Sequence, residues 1–111
     1  MNFLSMENYR FTHMDYICTT IEFLLYKFNI DAYKYYITLY EVRKCILDIF
    51  NVDIIVTICK HDGKKAYVYM CLEPSENGMI EMYENTYYDT YEDALRAGII
   101  YFLEQKLKEN E

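Results

Sequence analysis

The apolar positions of this chain change period twice along its length. Met14, Ile17, Cys18, Ile21, Leu24, Leu25 and Phe28 recur at helical spacing. Thr12 and Asp15 stand where a capping box would open that helix, and Asn29 is the expected end. Phe23 and Tyr26 fall off the stripe, so this helix is greasy on more than one side. A second helix is predicted over residues 38–50. Thr38 caps it and Glu41 completes a capping box. Leu39, Val42, Ile46, Ile49 and Phe50 make its inner face. Glu41, Arg43, Lys44 and Asp48 decorate the outside, and Asn51 can terminate it in the left-handed region.

The period then switches. "VDIIVTICK" is rich in β-branched residues and reads as a strand. Asp62-Gly63 follows, a two-residue hairpin signal, because a type I′ turn needs positive φ at both positions. "KAYVYMCLE" is the return strand. With Asp62 and Gly63 as the turn, Cys59 faces Ala66, Ile58 faces Tyr67, Val56 faces Tyr69 and Ile54 faces Cys71. Cys59 and Cys71 are therefore not opposite each other, and no cross-strand disulfide is expected. A turn at "EPSENG" leads into a third strand at "MIEMYEN".

The last helix is predicted from Tyr91 to Lys106 or beyond, behind a cap built from Thr90, Glu92 and Asp93. Tyr91, Ala94, Leu95, Gly98 and Phe102 share one side, which should pack on the sheet, with Gly98 allowing close approach. Ile99, Ile100, Leu103 and Leu107 widen the apolar arc. That second side must meet another helix or another subunit.

The pattern defines an α+β fold: a three-stranded antiparallel meander in α-β-β-β-α order, plus an extra N-terminal helix. One domain spans residues 1–111, with a lead-in and helix over 1–37 and the α-β-β-β-α core over 38–107. The sheet is apolar on both faces. One carries Ile55, Thr57, Cys59, Ala66, Val68, Met70 and Leu72. The other carries Ile54, Val56, Ile58 and Cys71 with an aromatic set, Tyr67, Tyr69 and Tyr83. Neither should meet bulk water alone. Two helices cover one face. The helix at 14–28 or a second copy of the chain is expected over the other.

Composition sharpens this. At 111 residues and 53% apolar, the chain can bury one core and is no disordered tail. Fourteen Tyr point to half-buried surfaces or interfaces. The net charge of -7 is unevenly placed. No Lys or Arg occurs between Ala66 and Leu95, where Glu73, Glu76, Glu81, Glu84, Asp89, Glu92 and Asp93 form an acidic stretch. Such a field repels phosphates. Cysteines 18, 45, 59 and 71 match no C-x-x-C pattern and sit in apolar runs, so they read as reduced thiols of a cytoplasmic protein. The N-terminus has neither the charged start nor the apolar run of a signal peptide, and no run is long enough to span a membrane.

"TLYEVRKCILDIFNVDIIV" and "YYDTYEDALRAGIIYFLEQKL" resemble a family of small uncharacterised proteins of anaerobic gut bacteria and their phages. The family's tail is a TYEEALEAG-like helix. Here it stands as Thr90, Tyr91, Glu92, Asp93, Ala94, Leu95, Arg96, Ala97, Gly98, with Arg96 in place of an acid. The resemblance covers residues 38–107, leaves 1–37 outside, and implies a fold boundary without a mechanism.

Candidate chemistry is sparse. His13 and His61 are far apart, and Cys59, His61 and Asp62 are too few for a metal site. Ser5 and Ser75 lack a base and an orienting acid, and no Gly-rich phosphate loop exists. No catalytic, cofactor-binding or metal-binding residue is assigned, and the chain is not expected to be an enzyme. The expected role is a small protein-interaction module that self-associates through Phe23, Tyr26, Ile99, Ile100 and Leu103. Packing of those two helices on each other is the competing reading. Two alternatives remain. The acidic stretch could imitate nucleic acid and block a basic host protein such as a nuclease. The α-β-β-β-α order also resembles double-stranded-RNA-binding domains, but Lys60, Lys64 and Lys65 are little against seven acids, so nucleic acid is disfavoured as a partner.

Overall fold

The computed structural model describes residues 18–31 and 38–110. Among these residues, three helices, α1 (Thr19–Tyr26), α2 (Leu39–Phe50) and α3 (Tyr91–Glu109), flank a sheet of β1 (Asp53–His61), β2 (Lys64–Ser75) and β3 (Gly78–Met82). The strand order is β1-β2-β3, antiparallel throughout. This is the α+β meander with α-β-β-β-α order and an extra N-terminal helix.

Local signals place most boundaries. Thr38 Oγ1 accepts from the Glu41 amide at 3.2 Å, and Glu41 Oε1 accepts from the Thr38 amide at 3.0 Å, a reciprocal capping box. Asn51 ends α2 at φ 58°, in the left-handed region. Asp62 and Gly63 turn at φ 54° and 76°, as a type I′ hairpin requires. The turn sets the register, and Ile54↔Cys71, Val56↔Tyr69, Ile58↔Tyr67 and Cys59↔Ala66 all pair. Thr90 Oγ1 accepts from the Asp93 amide at 3.0 Å to start α3.

Two boundaries and one inner face differ from expectation. α1 begins at Thr19, with Cys18 extended as its N-cap and no side-chain cap. A thiol cannot supply the oxygen acceptor that usually marks a helix start. The Thr12–Asp15 box lies outside the described residues. β3 stops at Met82, so Tyr83 is outside the sheet and half-exposed. Met82 pairs with Cys71 and occupies the position on the aromatic face that Tyr83 was expected to share with Tyr67 and Tyr69. Ile49, expected inside, is 55% exposed at the end of α2, while Cys45 takes an inner place.

One core joins the helices to one sheet face. Ile54, Tyr69 and Cys71 from the sheet meet Val42 and Ile46 of α2 and Leu95, Ile99, Phe102 and Leu103 of α3. Ile21, Leu24 and Leu25 of α1 close the same cluster, and α1 lies chiefly against α3. Gly98 brings α3 down on the sheet, where a Cβ would stand 2.9 Å from Ile54 Cγ2 and 3.0 Å from the Tyr69 ring. α1 therefore thickens the helical layer rather than covering the second sheet face. Helix-to-helix burial outcompetes the sheet because α3 offers two apolar sides and the sheet's first face is already taken.

Candidate functional site

The position of α1 leaves the sheet asymmetric. The face with Tyr69 lies under helices. On the other, Ile55, Cys59, Val68, Met70 and Leu72 are half-buried and belong to no part of the core cluster. Thr57, in the middle of β1, is exposed. Ile58 points to the helical side but lies beyond the helices near the hairpin tip, and it is 61% exposed. Nothing in its local sequence marks that position, because exposure there depends on how far the helical layer reaches.

The residues expected at an interface divide. Phe23 and Tyr26 project from α1, 58% and 73% exposed, with Lys27 Nζ 4.8 Å from the centre of the Phe23 ring. Ile99 and Leu103 are fully enclosed, and Ile100 is half-buried against the core. The second side of α3 is thus met inside the chain by α1. Ile99 and Leu103 are core residues, which removes them from any surface.

The aromatic residues form a polar seam along the sheet. Tyr69 is 1% exposed and donates its hydroxyl to Glu84 at 2.7 Å. Tyr67 and Tyr88 exchange backbone hydrogen bonds at 2.9 Å each, which ties the segment before α3 to the sheet. Tyr91 packs edge-on to Tyr67 and parallel to Tyr40. Tyr87 stacks on His61, ring centres 3.9 Å apart, at the hairpin tip beside Lys60 and Lys64. Sequence reasoning missed the roles of Tyr40, Tyr87 and Tyr88, which are separated in the chain from the groups they meet.

Folding also divides the acidic stretch. Glu84 accepts from Tyr69, Glu92 accepts from the Tyr40 hydroxyl at 3.0 Å, and Asp93 bridges to Arg96 at 3.0 Å. Glu73 lies half-buried on β2. Glu76, Glu81 and Asp89 are exposed. Among the described residues, no three His, Cys, Asp or Glu side chains gather where a metal ion could be held. The four cysteines form no disulfide with one another. No described helix is long and apolar enough to cross a membrane.

Enclosure has a consequence for pH. Burial, then the hydrogen bond and charge of Glu84, hold the Tyr69 phenol far above its usual range. Burial pushes the Cys71 thiol up to about 12. Tyr88 is raised as well, by burial first and then by Glu84. The fold thus excludes the ionised forms, whereas the unfolded chain ionises near the ordinary values of 9.0 for the thiol and 10.0 for the phenols. Because the folded values are raised, the stabilisation is complete below about pH 9 and is lost as pH rises beyond it. Urea unfolding should give a stability from these groups that is flat near neutrality and falls above pH 9. The slope should reach about 1.4 kcal/mol per pH unit for each proton involved. In Cys71→Ala the fall should begin nearer pH 10. Stability unchanged up to pH 11 would contradict the assignment.

Compared with protein-family models, curated proteins and solved structures, the chain matches none at a significant level.

Proposed function

We propose that this chain is a small, non-catalytic protein-interaction module that associates with itself. The observation that carries the reading is a sheet whose second face no described helix covers. Among the described residues, helices cover one face only and nothing pairs with the outer side of β1. The outer edge of β1, where Ile58 is exposed, and the apolar second face are two surfaces that a further chain can use. Exposed Phe23 and Tyr26 on α1 add a separate apolar spot. The polar groups that could suggest chemistry are engaged in the fold: Tyr69 with Glu84, Tyr40 with Glu92, Asp93 with Arg96.

The test is light scattering coupled to gel filtration across a dilution series. The expected mass moves from one chain toward two as concentration rises. A single-chain mass at every concentration would overturn self-association. Capture of a basic protein by the exposed acids Glu76, Glu81 and Asp89 would then be the reading to examine.

A further inference from the structure

We infer that two copies join antiparallel along β1, with the two-fold axis at Thr57, so that the three-stranded sheets merge into one of six strands. This inference rests on the self-association proposed above and names its surface.

The first argument concerns the backbone. A two-residue hairpin closes on a hydrogen-bonded pair, here His61 and Lys64. Counting back along β1, His61, Cys59, Thr57, Ile55 and Asp53 direct their N–H and C=O groups to β2. Ile54, Val56, Ile58 and Lys60 direct theirs outward. Edge strands of this kind are usually protected by proline, a bulge, a central charge or short length. β1 has none of these. It is nine residues long, its register is unbroken, and its charges lie only toward its ends. The opposite edge, β3, has five residues and carries Glu81. Among the described residues, β1 is the edge left open.

The second argument selects a second copy and its register. Pairing centred on Thr57 sets Ile54 against Lys60 and Val56 against Ile58, in both directions. Every outward N–H and C=O of the strand then finds a partner. Sliding by two residues leaves one end unpaired, and sliding by one turns each strand's faces against the other's. The same register places Asp53 of each copy opposite His61 of the other, with Lys60 adjacent. Arg43 holds Asp53 through Oδ1 at 3.2 Å, which orders that end of β1. The 61% exposed Ile58 gains an apolar neighbour in Val56. A strand whose ends differ in charge and whose middle is apolar is complementary to itself when reversed.

Residues opposite each other at Thr57 form a non-hydrogen-bonded pair, with Cα atoms about 4.5 Å apart, within disulfide range. Thr57→Cys in a Cys59→Ser background should therefore give a covalent dimer on mild oxidation. Ile55→Cys should cross-link to the native Cys59 of the second copy. Those two positions lie four residues apart in one strand and cannot bridge within a chain. The unaltered protein should not cross-link, because Cys59 faces Ile55 and not itself. Ile58→Pro removes an outward N–H that the monomer does not use, so it should keep the native circular dichroism and lose the dimer in light scattering. A dimer that forms no cross-link at Thr57 and survives Ile58→Pro would overturn the β1 placement and leave self-association standing. A protein monomeric throughout would overturn both.

Discussion

Gly98→Ala is expected to destabilise the protein by about 1–2 kcal/mol, although alanine is the better helix former by about 1 kcal/mol. Gly98 lies inside α3, where exposed glycine would be a defect. Here the added Cβ would stand 2.9 Å from Ile54 Cγ2 and 3.0 Å from the Tyr69 ring. Ordinary carbon contacts lie at about 3.5–4.0 Å. Neither neighbour has room to yield. Ile54 is fully buried, and Tyr69 is 1% exposed and tethered by its hydroxyl to Glu84. α3 must therefore lift from the sheet, which loosens the contact that closes the core. Gly98→Val adds two further carbons and should cost about 3 kcal/mol or more. Urea unfolding of both variants measures the effect. A more stable Gly98→Ala variant would show that helix propensity governs this position and that the close approach is relaxed.

Phe102→Ala should lower the unfolding free energy by about 3–5 kcal/mol, a large share of the roughly 5–15 kcal/mol that holds a domain together. Phe102 is fully enclosed on α3 and meets Phe50 of α2 edge-on at 5.3 Å. Phe50 in turn meets Phe28, just beyond α1, at 5.3 Å. The three rings thus link the three helices, and removal of Phe102 leaves a void where they converge. α1 is short and lies chiefly against α3, so it should suffer most. Hydrogen exchange in Phe102→Ala is expected to accelerate in Thr19–Tyr26 before it does in β2. A loss below about 1 kcal/mol with uniform exchange would show that the helices do not depend on this cluster.

Gly98 belongs to the sheet side of α3. Ile99 and Leu103 belong to the side that α1 covers. Their burial takes them out of the proposed interface and leaves the sheet, through β1, as its proposed surface.

What could be read from sequence alone has a common physical character. The Thr38–Glu41 box, the left-handed Asn51, the Asp62-Gly63 turn and the Thr90 cap each act within four residues. Their chemistry is complete before anything distant arrives. Strand register follows from the turn, so the β1–β2 pairing was equally legible. The tight seat at Gly98 could be anticipated because a glycine amid apolar helix positions signals close approach. What only the tertiary structure decided is which apolar surface meets which. α1 could bury its stripe on the sheet or on α3, and the two choices look alike in sequence because apolar burial is non-directional. The choice of α3 encloses Ile99 and Leu103 and leaves Val68 and Met70 without α1 over them. The Tyr69–Glu84 and Tyr40–Glu92 hydrogen bonds were hidden for a related reason. Each joins residues that only the finished fold brings within reach.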